Sequence, residues 1–295
     1  MVQKLITVFG GTGFLGQEIV RCLVAANYQV RVAVRHPQAG AFGEEVEQLP
    51  SDVRNPDSVA IAVNGASAVV NAVGLYVERG SATFAGVHVQ GAQNVAVAAD
   101  RVAARLVHIS GLGADDRSES SYVRARALGE RYVRQSAQQV VILRPSVLFG
   151  RGDALLSALE RMTRFLPFVP LFGMGDTCLQ PVYVGDVAAA VLRVLAGADT
   201  DGECYELGGP VQYRYRDLIA TVLAHLKRRR VMLPVPFVVW ELQSICLAVL
   251  PNPPLTRDQV ILMRHHNVVG DSVLTFEDLG MEPRSIVNML PECLS

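Results

Sequence analysis

The chain of 295 residues sets 27 Lys and Arg against 28 Asp and Glu, a net charge of −1, and half of it is hydrophobic. That balance leaves no electrostatic footprint for nucleic acid and excludes a disordered chain. Five scattered cysteines (Cys22, Cys178, Cys204, Cys246, Cys293), odd in number and without a CxxC pair, argue against a disulfide framework and against a zinc site. No metal is expected, and the compartment is read as reducing.

The length suits one large domain or a domain with a smaller attachment. MVQKLITVFGG enters a strand at once, with neither an apolar signal core nor an Arg/Ser-rich transit segment. Short β-branched runs then alternate with helical stretches, the signature of βαβ units and a parallel sheet. Strands are predicted at Leu5–Phe9, Gln29–Val34, Val46–Leu49, Ala68–Ala72, Leu106–Ser110 and Val140–Leu143. Helices are predicted at 14–26, 57–64, 82–102 and 122–136, with Asn55 and Pro56 as cap and first-turn residue of the second.

After Gly150 the pattern loosens. A helix near Ala154–Phe165 leads into the Pro/Gly-rich LPFVPLFGMGD, and LQPVYVGDVAAAVLRVLAG reads as a strand, an Asp186 cap and a helix. From Tyr205 onward the chain reads as mostly helical. These patterns predict an α/β fold: a Rossmann-like, doubly wound parallel sheet over residues 1–150, with 178–197 returning to its edge. A smaller, mostly helical lid or docking domain is predicted over 151–295.

LITVFGGTGFLGQEIV sets Gly10, Gly13 and Gly16 between a strand and a helix at the start of a βαβ unit. Gly10 permits the tight turn, Gly13 admits a pyrophosphate to the backbone, and Gly16 lets helix and strand approach. The free N–H groups of the helix start then face the anion. The nucleotide-binding segment is Gly10, Gly11, Thr12, Gly13, Phe14, Leu15 and Gly16. About twenty residues on, where an NAD site has an acid for the ribose 2′-OH, QVRVAVRHPQ has Arg35. A guanidinium there suits a 2′-phosphate, so the expected cofactor is NADP(H), with His36 as an added contact. Asp52, next to Val53, has two readings, adenine contact or turn cap. Ala72, Val73 and Gly74 let the dinucleotide lie close to the backbone.

Together GGTGFLG, SDVRNPDSV, VVNAVG, VHIS, YVRAR, ILRPSVLFG and LQPVYVGDVA resemble the short-chain dehydrogenase/reductase superfamily in its extended or atypical branch. Within it, HISGLGADDRSESSYVRARALGERYVR and the proline-bearing apolar helix after RRRVMLPVP resemble the NAD(P)H-binding accessory subunit of respiratory complex I and its bacterial relatives. The resemblance implies a bound NADPH that is structural, on the peripheral arm near the membrane, beside other complex I subunits. It matches Ser110, Tyr122 and Arg126 to the catalytic Ser, Tyr and Lys of reductases, and Arg144, Pro145, Ser146 and Val147 to the segment lining the nicotinamide. His88 stands where many relatives have asparagine.

A tyrosine ionises near pH 10, and a neighbouring cation lowers that value. Arginine supplies charge and ribose hydrogen bonds but cannot relay a proton. The expected role is therefore a cofactor shell without turnover. The alternative is a free NADP-dependent reductase, epimerase or isomerase acting on a small carbonyl, with Tyr122 as acid. VMLPVPFVVWELQSICLAVL (231–250) approaches a membrane span but is broken by two prolines, Glu241 and Gln243. With Lys227–Arg230 before it, the segment 227–250 has two readings: burial under the second domain, or docking on a partner subunit or an anionic lipid surface.

Overall fold

The computed structural model describes residues 4–197, 200–250 and 253–294. In chain order the first elements are β1 (Leu5–Phe9), α1 (Phe14–Ala25), β2 (Gln29–Val34), β3 (Val46–Pro50), α2 (Pro56–Val63) and β4 (Ala68–Asn71). A π-helical stretch (Ala85–Gly91) runs into α3 (Ala92–Arg101), followed by β5 (Arg105–Ile109), α4 (Ser121–Ser136) and β6 (Val140–Pro145). Next come β7 (Leu148–Phe149), α5 (Ala154–Phe165), β8 (Phe168–Phe172), β9 (Cys178–Leu179), β10 (Val182–Tyr183) and α6 (Val184–Ala196). The remainder is β11 (Cys204–Leu207), β12 (Tyr213–Arg214), α7 (Tyr215–His225), β13 (Val231–Val235), α8 (Phe237–Leu247), α9 (Arg257–Leu262) and α10 (Ile286–Cys293).

Two compact units result. The first comprises residues up to Pro145 with Val184–Glu206 and Ser272–Met281. Its seven-stranded sheet has the order β11-β6-β5-β4-β1-β2-β3, and β1 to β6 pair in parallel. Strand order reverses at β1, which lies between β2 and β4. In open α/β sheets a ligand crevice forms at that switch point, beyond the carboxyl ends of the strands. The central strands are continuous apolar runs because helices cover both faces. Val59, Val63, Val95, Ala99, Leu106, Val133 and Ile142 form one core cluster, and α1 packs against α6. Asn55 caps α2 as expected, its side chain accepting from Asp57 and Ser58, with Pro56 in the first turn.

The second unit comprises Ser146–Tyr183, Leu207–Asp271 and residues from Glu282 on. Phe149, Leu156, Leu159, Leu171, Leu218, Ile219 and Leu290 lie in its core.

Several expectations are corrected. The edge strand beside β6 is β11, whereas 178–197 gives β9 and β10 in the second unit and α6 in the first. Asp186 sits in the first turn of α6, which begins at Val184, and is not its cap. The predicted 82–102 helix is split, with a π-helical stretch that ends at Gly91, a weak α-former. VMLPV, for which no element was predicted, is a strand paired in parallel with FVPLF, where β-branched residues and an interior proline suit a two-stranded edge. Among the described residues no helix is long and apolar enough to cross a membrane.

The basic run is partly spent inside its own unit. Arg228 donates to the Glu160 carbonyl at 2.6 Å and to Thr163 Oγ1 at 2.9 Å, and Arg230 donates to the Thr163 carbonyl at 2.9 Å. Those carbonyls belong to the last turns of α5, so the two arginines satisfy a helix C-terminus. The inner face of α8 is anchored by Trp240, whose Nε1 donates to the Leu171 carbonyl at 3.1 Å and whose ring centroid lies 4.4 Å from that of Phe172. Its outer face stays open: Val238, Leu242 and Ile245 are exposed.

Candidate functional site

The turn after β1 is built on glycine. Gly10 has φ +77°, and a Cβ there would lie 2.6 Å from the Ala72 carbonyl oxygen on the neighbouring strand exit. A Cβ on Gly16 would sit 2.0 Å from the Gly10 oxygen, so α1 can begin this close to the turn only without a side chain. At Gly11 the contact is with Val32, at 2.6 Å. Gly13 is open by comparison, its nearest neighbour 3.3 Å away, and it caps α1 without a side-chain hydrogen bond. The amides of the first helical turn are thus left with no side-chain acceptor, as an anion site requires.

A cavity of about 190 Å³ opens at this turn. Of the residues read from sequence, Gly10, Thr12, Gly13, Arg35, Asp52, Val53, Ala72, Val73 and Gly74 line it. Gly11, Phe14, Leu15 and Gly16 shape the turn and helix behind it, and Leu15 is buried in the core. His36 is exposed and does not line it. Asp52 performs the turn role while forming part of the wall. Its carboxylate accepts from the Arg54 backbone N–H at 3.0 Å and pairs with the Arg54 guanidinium at 2.6 Å, and that hydrogen bonding holds its pKa below the usual carboxylate range.

Arg54 is the residue that sequence reasoning passed over. It also donates to the Ser81 carbonyl at 2.8 Å, tying the 79–82 turn beside the cavity. The signal was present as Asp-x-Arg in SDVRNP.

The second cluster lies on α4. Ser120 caps the helix, which brings Tyr122 to its first turn and Arg126 one turn later. Arg126 donates to the Tyr122 hydroxyl, and its guanidinium carbon stands 5.3 Å from the ring centroid. The guanidinium lies so close over Gly111 that a Cβ there would be 3.0 Å from it. The Tyr122 ring is enclosed by Phe84 at 5.5 Å, His88 at 5.4 Å and Tyr76 at 5.6 Å.

Burial dominates the acidity here. It pushes the Tyr122 pKa up to about 12 despite the opposing effect of Arg126, contrary to the lowering expected from an adjacent cation. Burial, and then the charge of Arg126, push His88 down to about 4. At neutral pH the pair is a neutral phenol facing a guanidinium, and the imidazole beside it is uncharged.

Ser110, at the end of β5, is 2% exposed, and its hydroxyl is the one buried side-chain oxygen or nitrogen among the described residues without a hydrogen-bond partner. Such an orphan has a hydrogen bond to offer to a ligand or a water. Arg144, on β6, pairs its guanidinium with Glu130 at 2.6 Å and Glu206 at 3.3 Å. Pro145 closes the first unit, its carbonyl accepting from Leu112 N–H at 3.1 Å. Ser146 and Val147 belong to the second unit, where Asn267 Oδ1 accepts from the Ser146 hydroxyl at 2.7 Å and the Val147 N–H at 3.2 Å.

Residues 6–208 match the model of the NAD dependent epimerase/dehydratase family. The chain belongs to that family. It is 31% identical to the mouse (Mus musculus) NADH dehydrogenase (ubiquinone) 1 alpha subcomplex subunit 9, mitochondrial, over 94% of this chain and 76% of that protein. It is 30% identical to the mitochondrial NADH-ubiquinone oxidoreductase 40 kDa subunit of Neurospora crassa, over 96% of this chain and 76% of that protein. The similarity to complex I subunits expected from the motifs is borne out. Among solved structures of the fold, dTDP-4-dehydrorhamnose reductase from Bacillus anthracis, in complex with NADP, superposes with a TM-score of 0.73 at 17% identity, covering 99% of each chain.

Proposed function

We propose that this member of the epimerase/dehydratase family is a nucleotide-holding accessory subunit of a complex I-type NADH:quinone oxidoreductase, and that its NADPH is bound but not turned over. The likeness to the mouse and Neurospora subunits supports the assembly. The Tyr122–Arg126 pair carries the rest. A phenol held near pKa 12 and hydrogen-bonded to a cation that keeps its proton is poorly suited to shuttle a proton each turnover.

The residues present fit the nucleotide. Open amides at the start of α1 suit the diphosphate and Arg35 at the cavity wall suits a 2′-phosphate, while the orphan Ser110 hydroxyl and the Arg126 guanidinium, outside the cavity lining, are the groups assigned to the nicotinamide riboside end. Nicotinamide supplies hydride chemistry when bound; the chain's own groups bind, orient and hold protons in place. A ligand that binds only the folded state stabilises it by mass action, which gives an unreacting nucleotide a purpose.

The subunit sits peripherally on the arm of the complex near the membrane, on the cytoplasmic side of a bacterial inner membrane or the matrix side of a mitochondrial one. The open face of α8 is its docking surface toward other subunits, with lipid contact along 227–250. The second reading, a free reductase or epimerase acting on a small carbonyl, is favoured by the buried and unpartnered Ser110 hydroxyl and by the presence of Tyr122.

Fractionation of native membranes in mild detergent tests both. Co-migration with NADH:quinone oxidoreductase, with stoichiometric unreacted NADPH, supports the accessory subunit. A free protein that consumes NADPH in the presence of carbonyl substrates establishes the second reading.

A further inference from the structure

His88 does more than fill the place beside Tyr122. It lies at the centre of the π-helical stretch Ala85–Gly91, is 8% exposed, and reaches back to the segment that leaves β4. Its Nε2 is 2.9 Å from the Leu75 carbonyl oxygen and 3.3 Å from the Leu75 N–H. One ring nitrogen serves one role at a time, and the shorter contact makes it a donor to the carbonyl. Leu75, with Ala72, Val73 and Gly74 before it, lines the nucleotide cavity. The next residue, Tyr76, meets the Tyr122 ring at 5.6 Å.

The other end of the link is equally fixed. A Cβ on Gly129 of α4 would lie 2.0 Å from the His88 carbonyl oxygen, so the π stretch and α4 touch backbone to backbone. The His88 ring meets Tyr122 edge-on at 83°. Single-turn π segments recur at functional sites in helices, and this one presents a polar side chain between two walls.

We propose that His88 is a positioning residue: through its hydrogen bond to Leu75 it fastens the 72–75 wall of the nucleotide cavity to the helix that carries Tyr122 and Arg126. The wall is then set before the ligand arrives, and binding spends less on ordering it. Burial, and then the charge of Arg126, push its pKa down to about 4, so at neutral pH the link is made by an uncharged ring. The inference rests on the nucleotide reading above for its purpose but not for its geometry.

The test compares the full-length protein with His88→Ala and His88→Gln, since a glutamine amide is able to donate to the same carbonyl with little change in volume. NADPH affinity is read by calorimetry, and amide hydrogen exchange of the 72–80 segment is read without nucleotide. His88→Ala is expected to weaken NADPH about tenfold, the worth of one buried hydrogen bond, and to speed exchange across 72–80. His88→Gln is expected to restore most of both and remains informative if the alanine variant fails to fold. Unchanged exchange and affinity in His88→Ala, or a glutamine variant no better than alanine, overturns the clamp. A wild-type protein that ignores NADPH overturns the nucleotide reading instead, while the exchange comparison still decides the clamp.

Discussion

Arg126 donates its hydrogen bond to the hydroxyl of Tyr122, and both are carried on one face of α4. On the cofactor-shell reading proposed above, this pair keeps a cation beside the phenol but one that does not exchange protons. Arg126→Lys is expected to raise NADPH-dependent carbonyl reduction at least tenfold above the wild-type level. An assay of NADPH oxidation against a panel of small ketones and aldehydes checks it; brisk turnover by the wild type contradicts the cofactor-shell reading.

Two buried histidines make the first unit acid-sensitive. Burial is the main cause that pushes both His88 and His108 down to about 4; for His108 the charge of Glu130 opposes it and that of Arg126 adds to it. Between pH 6.5 and about 4 the unfolded chain therefore binds more protons than the folded one, and stability falls as pH falls through that window. The loss is on the order of 2 kcal/mol per histidine at pH 5. Denaturant unfolding at pH 7 and pH 5 measures it, and His88→Gln is expected to remove about half of the difference.

Arg35 at the exit of β2 is expected to set the choice of nucleotide. Arg35→Glu is expected to weaken NADPH roughly 10- to 100-fold, the worth of a charge-assisted contact to phosphate, and to leave NADH binding unchanged or improved. Calorimetry with both nucleotides decides this. Equal affinity of the wild type for the two removes Arg35 from the role.

The glycines of the turn separate folding from binding. Gly16→Ala meets the Gly10 oxygen at 2.0 Å and is expected to cost roughly 1–3 kcal/mol or more. Gly13→Ala, with 3.3 Å to its nearest neighbour, is expected to cost under about 1 kcal/mol. It should nevertheless lose nucleotide, because its methyl group would stand at the turn proposed to receive the diphosphate. Thermal unfolding with and without NADPH distinguishes the two effects.

On α8, Leu242→Glu combined with Ile245→Glu changes side chains that are 60% and 63% exposed. Surface changes of this kind shift stability within about 0.5 kcal/mol each. NADPH binding is expected to persist while the subunit dissociates from the respiratory complex, as native gels of variant membranes would reveal.

The alternation of apolar runs with helical stretches in the first half, and GGTGFLG between the first strand and helix, were enough to place β1 to β6 and the nucleotide turn. Their determinants are local: side-chain periodicity, a glycine at a turn that needs positive φ, and a cap such as Asn55 beside the residues it serves. Short stretches of the second half, such as VMLPV, carry no such signal, because a two-residue or edge strand is defined by its partner rather than by itself. Arg54, Leu75 and the double contact of His88 were hidden for the same reason, their partners being supplied by turns and strands brought near only on folding.

The acidity of Tyr122 shows where composition stops. Four residues of separation guaranteed that Arg126 would meet it, because helix geometry is a local matter. Whether the cation or the surrounding apolar shell governs the phenol depended on how completely Phe84, His88 and Tyr76 enclose it. Dielectric environment is a property of the packed molecule, and no short run of residues carries it.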